Sequence, residues 1–187
     1  MNPDGLGKQL PTLRGDGVLL RSLTEHDAAA VFDLFSDSDV VRFMSLRQLA
    51  TRSDATDLIA DIHRHFLAGT LYQWGIERDR QIVGTCTLAG IDRRHRRAEL
   101  GFAVLKRVWG QRILSRSLPV LIAFAFERLV LHRLEADVEP SNVRSMRALQ
   151  SAGFRREGLL RERYIQHGEA QDAIVFGLLE KEWRGNV

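Results

Sequence analysis

The stretch Glu139-Pro140-Ser141-Asn142-Val143-Arg144-Ser145, with its continuation Ala152-Gly153-Phe154-Arg155-Arg156-Glu157-Gly158-Leu159-Leu160-Arg161, decides how this chain is read. Pro140-Ser141-Asn142 opens a helix, because a serine or asparagine side chain accepts a hydrogen bond from the free N–H groups of a first turn. The helix runs to about Ala152, and Gly153 stops it. Arg133 to Val138 before it and Phe154 to Ile165 after it have strand character, and Asp172 to Leu179 is a further strand joined through a turn at Gly168.

Toward the N-terminus, Tyr72 to Glu77, Gln81 to Ala89 and Ala98 to Val104 are short runs of strand type. Arg78-Asp79-Arg80 makes a tight link, so the first two form a hairpin. After Gly110 a long apolar helix is expected, roughly Ile113 to Arg128, with Pro119 inside it either bending the helix or marking a late start. Val18 to Leu23 reads as a first strand. Thr24 caps a helix whose apolar face is Ala30, Val31, Leu34 and Phe35, and Ser36 to Asp39 breaks it. Thr51 with Asp54 forms an acidic capping box for a second helix, in which Leu58, Ile59, Ile62 and Phe66 keep helical spacing and Gly69 ends the run. Antiparallel hairpins plus one strand–helix–strand crossover imply an α/β (α+β) mixed sheet with helices on both faces. Residues 1–16 are polar, rich in Gly and Pro, and expected to be a loose lead-in; residues 17–187 then form one domain.

Composition removes several function classes. The 187 residues are 44% apolar and 27% charged, which excludes general disorder and fibrous forms. The longest apolar run, Leu118 to Phe126, is too short for a bilayer and holds Pro119. The N-terminus lacks a signal-peptide pattern, and one cysteine closes no internal disulfide, so a cytoplasmic location is expected. Lys plus Arg is 27 against 24 acids, a formal charge of only +3, although the isoelectric point is about 9.5. Arg93, Arg94, His95, Arg96 and Arg97 cluster as a solvated turn between two strands or, in the sharper reading, as a nucleic-acid patch. No GxGxxG follows a strand, and GxxxxGK[ST], HExxH, paired CxxC and GxSxG are all missing, so no phosphate loop, metal site or nucleophile elbow is read. Cys86, inside a strand, is expected to be a packed thiol.

Three pieces in order, Ala98 to Val104, Trp109-Gly110-Gln111, and the Asn142-x-x-Ser145 helix start running into Gly153-Phe154 and Glu157-Gly158-x-x-Arg161, resemble the GNAT superfamily of N-acetyltransferases, nearest its RimJ/RimL-like branch. The resemblance extends from about Val18 to Trp183. It implies acetyl-CoA as co-substrate and an amine acceptor, either a peptide N-terminus or a small amine. It also implies direct attack in a ternary complex, no metal, and a homodimer as one assembly seen in the branch. In such a fold the strand at 98–104 splays from that at 133–138, and the pantetheine arm enters the gap against backbone groups of Phe102 and Val104. The pyrophosphate meets the N-terminus of the following helix, through Trp109, Gly110, Gln111, Arg112, Ile113, Leu114 and Ser115.

That loop departs from the family pattern: Arg112 replaces a glycine, Leu114 a small residue and Arg116 a glutamate. Either Arg112 and Arg116 bind phosphate with their side chains, or bulk at 112 and 114 blocks the cofactor and leaves a silent member. The resemblance makes Glu99 the base, acting through water, Ser145 the group that reaches the departing sulfur, and Asn142 a pantetheine contact. Asn142 could equally well only cap its helix, Ser145 be a helix-surface serine, and Glu99 a structural carboxylate. The family's tyrosine acid is replaced by Leu149, with Tyr164 a substitute. The N–H of Ala103 or Val104 is a candidate oxyanion-type donor. Phe43, Met44, Tyr72, Trp74 and Tyr164 are candidate acceptor contacts, and Asp172 and Glu162 candidate holders of a cationic amine. Three readings stay open: an acetyltransferase, a silent acyl-CoA or partner binder, and an RNA-binding module built on the arginines.

Overall fold

Local signals place the elements where the sequence expects them. In the computed structural model, which describes residues 2–166 and 168–185, the capping box at Thr51 and Asp54 opens α3 (Arg52–Ala68), with the Asp54 N–H donating to Thr51 Oγ1 at 3.2 Å and the Thr51 N–H donating back at 2.9 Å. Gly69 ends α3 in the left-handed conformation, φ 70°. Asp79 and Arg80, both at positive φ, make the two-residue turn between β3 (Leu71–Arg78) and β4 (Gln81–Asp92).

The remaining elements, in chain order, are β1 (Leu13–Gly15), β2 (Val18–Ser22), α1 (Ala28–Phe35), the short α2 (Ser38–Val41), then β5 (Arg97–Val104), α4 (Ile113–Ala123), β6 (Arg133–Val138), α5 (Val143–Ser151), β7 (Arg155–Gln166), β8 (Glu169–Leu179) and α6 (Glu180–Arg184). They form one eight-stranded sheet in the order β1-β2-β3-β4-β5-β6-β8-β7. Every pairing is antiparallel except β5 with β6. Trp74 packs its ring edge-on against Phe124, beyond the end of α4, at 5.2 Å. Its neighbour Gln73, pointing the other way, shares a cleft with Phe35 of α1 and with Leu58 and Ile62 of α3. Helices therefore cover both faces.

Two expectations need correction. Residues 2–15 are not a loose lead-in. Asn2 and Leu10 are buried, and β1 pairs with β2. Asn2 Nδ2 donates to the Phe66 carbonyl at 2.5 Å, and Arg93 joins Asp4 at 2.8 Å, so side-chain bonds hold a segment whose composition looks like linker. Pro119 does not delay its helix: α4 starts at Ile113 and runs through it, and Pro119 itself is exposed. The same helix widens into π-type turns at Phe124–Arg128.

Candidate active site

The parallel pairing of β5 with β6 lasts three residues, Arg97 to Glu99 against Arg133 to Glu135. Beyond Glu99 the strands part, as expected for 98–104 and 133–138. Leu105 N–H donates to Val83 O of the β4 side at 2.9 Å. Alternation then turns the backbone groups of Ala103 and Gly101 toward β4, and those of Phe102 and Val104 toward the gap. Ala103 is thus removed as an oxyanion-type donor, because its N–H belongs to the β4 ladder. The Val104 carbonyl is occupied by the Trp109 indole N–H at 2.9 Å. The N–H groups of Phe102 and Val104 and the Phe102 carbonyl remain to face an added chain.

A cleft of about 580 Å³ opens at this parting. Glu99, Gly101 and Phe102 of β5 line it, with Asp137 of β6 and with Asn142 and Ser145 at the start of α5. Asn142 caps α5, its Oδ1 accepting from Ser145 N–H at 3.2 Å. The capping holds Ser145 on the cleft wall, and its hydroxyl has no hydrogen bond among the described residues. Leu149 is fully buried behind it.

Tyr164 enters from β7, and its hydroxyl donates to Asp137 Oδ2 at 2.8 Å. Arg163 Nε donates to the same oxygen at 3.0 Å. Burial and the Asp137 carboxylate hold the Tyr164 phenol well above its ordinary range. Glu99 is pushed up as well, first by partial burial, then by the nearby negative charge of Asp137, with Arg163 opposing and Glu135 adding a little. A carboxylate with raised proton affinity at the parting of two strands suits proton acceptance.

Phe43 and Met44 line the cleft from the loop after α2, where Gln166 Nε2 donates to the carbonyls of Arg42 and Met44 at 2.8 and 3.1 Å. Tyr72 and Trp74 do not line it. Both are fully buried; the Tyr72 hydroxyl meets Asn2 and Asp4, and Trp74 Nε1 donates to Pro11 O at 2.9 Å. A strand turns alternate residues to opposite faces, and the cleft face of β3 carries Leu71 and Gln73 instead. Asp172 and Glu162 are also outside the cleft, Asp172 Oδ1 accepting the Glu162 N–H at 2.8 Å across a bulge. Cys86 is fully buried, its thiol pushed up to about 12 by burial, so it is no nucleophile.

At the head of α4, Arg112 adopts φ 59°, ψ 23°, the left-handed conformation a glycine would take freely. Its side chain is exposed, and Leu114 packs against the core, so neither lines the cleft. Arg116 points back to the β1–β2 turn, 3.6 Å from Asp16, and is not placed as a phosphate ligand. Gln111 is tied to Arg78 at 2.8 Å. Ile113 is buried, Ser115 is exposed, and Gly110, at φ 76°, has open space where a side chain would start. The first N–H groups of α4 have no acceptor within their own helix. With the free strand edge of β5 and the amide of Asn142, these donors fit a pantetheine arm and its pyrophosphate.

The arginine turn is largely paired: Arg93 with Asp4, His95 with Asp92, and Arg97 with Asp92 and Glu135. Arg94 and Arg96 of the same turn are exposed and join no ion pair among the described residues.

A family model described as an acetyltransferase (GNAT) domain matches residues 18–155. The chain belongs to the GNAT acetyltransferases. A Bacillus licheniformis relative, the uncharacterized N-acetyltransferase p20, is 33% identical over 178 residues, covering 94% of this chain and 100% of that protein. The spermidine N(1)-acetyltransferase of Escherichia coli is 24% identical over 166 residues, 89% of this chain and 88% of the relative. Among solved structures, Mycobacterium smegmatis RimJ in complex with CoA-disulfide superposes with a TM-score of 0.85 at 24% identity, covering 97% of this chain and 91% of that one. As a GNAT N-acetyltransferase with RimJ among its fold neighbours, the chain carries the expected mixed sheet, with β5 and β6 parting beyond Glu99.

Proposed function

We propose that the chain transfers an acetyl group from acetyl-CoA to a primary amine by direct attack while both substrates are bound. The observation that carries this reading is the short β5–β6 pairing, which leaves the Phe102 and Val104 N–H groups without a β6 partner beside a cleft lined by Phe102, Glu99 and Ser145. In this reading Glu99 takes the proton that the entering ammonium must lose, directly or through one water. Val104 N–H polarises the thioester carbonyl. As the amine nitrogen bonds to that carbon and the C–S bond breaks, Ser145 hydrogen-bonds the departing sulfur. Tyr164, held by Asp137, is the second protic group within the same cleft.

The test is release of free thiol from acetyl-CoA in the presence of amines. Ser145→Ala is expected to lower turnover about 100-fold, the low end for a lost acid–base group, with little change in CoA affinity. Unchanged turnover removes Ser145 from the chemistry. The silent-binder reading rests on one specific observation, the altered residues at 112, 114 and 116. It predicts a thermal shift with CoA and no thiol release from any amine.

A further inference from the structure

Four carboxylates line the cleft, and three have donors of their own. Asp61 pairs with Arg64 on its own helix. Glu139 accepts the Ser141 N–H at 3.1 Å and its hydroxyl at 2.5 Å. Asp137 accepts from Arg163 and Tyr164, and it does so by an irregular route. Successive residues of a strand point to opposite faces, yet Arg163 Nε and the Tyr164 hydroxyl reach one oxygen, Asp137 Oδ2, at 3.0 and 2.8 Å. A bulge in β7 between Leu160 and Tyr164 removes the conflict. Glu162 sits in it at φ 52°, its N–H held by Asp172 Oδ1 at 2.8 Å. A non-glycine residue at positive φ is costly and persists only where its surroundings fix it. Glu99, the fourth carboxylate, has neither an ion pair nor a hydrogen bond among the described residues.

Glu99 is the register partner of Glu135, and Asp137 lies two residues further along β6, so the three acids share one face of the sheet. The Asp137 side chain is 9% exposed and that of Arg163 49%, so water screens the arginine more than the carboxylate. Toward Glu99, β6 presents Glu135 and Asp137, with Glu139 beyond them, and β7 presents Arg163 and Tyr164. Asp61 and His65 of α3 face the same cleft, and β4 and α5 bring no charged group to it among the described residues. On its own strand, Arg97 is tied to Asp92 and Glu135. Burial and Asp137 push the Glu99 carboxyl up, and Arg163 opposes them. The Tyr164 proton is committed to Asp137, whereas the Ser145 hydroxyl has no such engagement.

We propose that Asp137 is the positioning residue of the acyl-transfer site: the β7 bulge clamps it with Arg163 and Tyr164 so that it presents a fixed negative charge beside Glu99, and Tyr164 serves as part of that clamp and not as the acid. This rests on the acyl-transfer reading above and deepens it. The proton that the entering ammonium loses passes to Glu99, because Asp137 Oδ2 already accepts two hydrogens. The departing sulfur is left to Ser145.

The experiment follows two readouts on the full chain: the pH profile of kcat/KM by thiol release, and the titration of the side-chain carboxyls by carbon-13 NMR, with the Glu99 signal assigned through Glu99→Gln. Asp137→Asn removes a like charge, so the acid limb and the Glu99 midpoint should both move down, by roughly half a pH unit. Arg163→Gln removes the opposing charge and should move both up. Arg163 is half-exposed, so this variant decides the sign even if Asp137→Asn fails to fold. Tyr164→Phe should lower kcat by less than about 10-fold, the scale of one hydrogen bond, with the KM for acetyl-CoA little changed. Midpoints that stay put, or that move the other way, overturn the inference. So does a loss of about 100-fold or more in kcat for Tyr164→Phe, which would make Tyr164 the acid. Failure of the unsubstituted chain to release thiol with any amine counts against the acyl-transfer reading itself, and the carboxyl titration then still decides whether Asp137 acts on Glu99.

Discussion

Gly101→Val separates folding from function with effects of opposite sign. Gly101 lies in the middle of β5, on the cleft wall, at ordinary strand geometry. A Cβ built there meets only Thr87 Cβ at 3.8 Å, an ordinary contact, so the substitution needs no repacking around its first atom. Replacing a glycine inside a strand recovers about 0.5–1 kcal/mol of conformational entropy. For a domain of this size each kcal/mol is worth about 2–4 °C, so the melting temperature should rise by about 1–4 °C. The two γ-methyls, however, extend from the wall into the space where the acyl group and the amine must meet. A misplacement of about 1 Å costs about 100-fold in rate, so kcat/KM should fall at least that far. Thermal unfolding and the thiol-release assay read the two effects on one preparation. Turnover within twofold of the unsubstituted chain would refute the placement of the reaction at this parting of strands.

Glu99→Gln should remove the acid limb of the kcat/KM pH profile and lower activity by about 100-fold or more. Because burial and Asp137 raise the Glu99 pKa in the folded chain, its charged form opposes folding once pH rises through that value. The variant should therefore melt higher at pH 8 and unchanged at pH 4; a lower melting temperature at pH 8 contradicts the assigned environment. Trp74→Phe should destabilise by about 2–3 kcal/mol, from a cavity and an orphaned Pro11 carbonyl, with the KM for acetyl-CoA unaltered; a raised KM in a stable protein would return Trp74 to the site. Arg112→Gly with Leu114→Ala should leave CoA affinity equal or tighter in a calorimetric titration, since the backbone already adopts the left-handed turn; abolished binding would make these side chains the phosphate ligands.

The fold was legible because its signals are local. Capping at Thr51 and Asn142, the glycine stops at 69 and 153, and the turn at Asp79-Arg80 each act within a few residues. The candidates Glu99, Asn142, Ser145, Phe43 and Met44 are legible by motif or by position, and one cleft brings them together. Tyr72 and Trp74 were misassigned because strand parity, one residue either way, decides between the core and the cleft, and large aromatics favour the core. Asp137 was missed although Leu134, Ala136 and Val138 alternate with it; an acid on the other face of a central strand was the available signal. The packing of residues 2–15 depends on pairing Asp4 with Arg93, 89 positions away, which no local pattern reveals.

The most direct test of the central claim is amide hydrogen exchange with and without CoA. Binding at the parting of β5 and β6 predicts added protection at Phe102 and Val104, in the first turn of α4 at Ile113–Ser115, and around Asn142–Ser145. The N–H groups of Gly101 and Ala103, already paired with β4, should stay as they were. Protection elsewhere, or no change at Phe102 and Val104 when CoA is bound, would contradict the account.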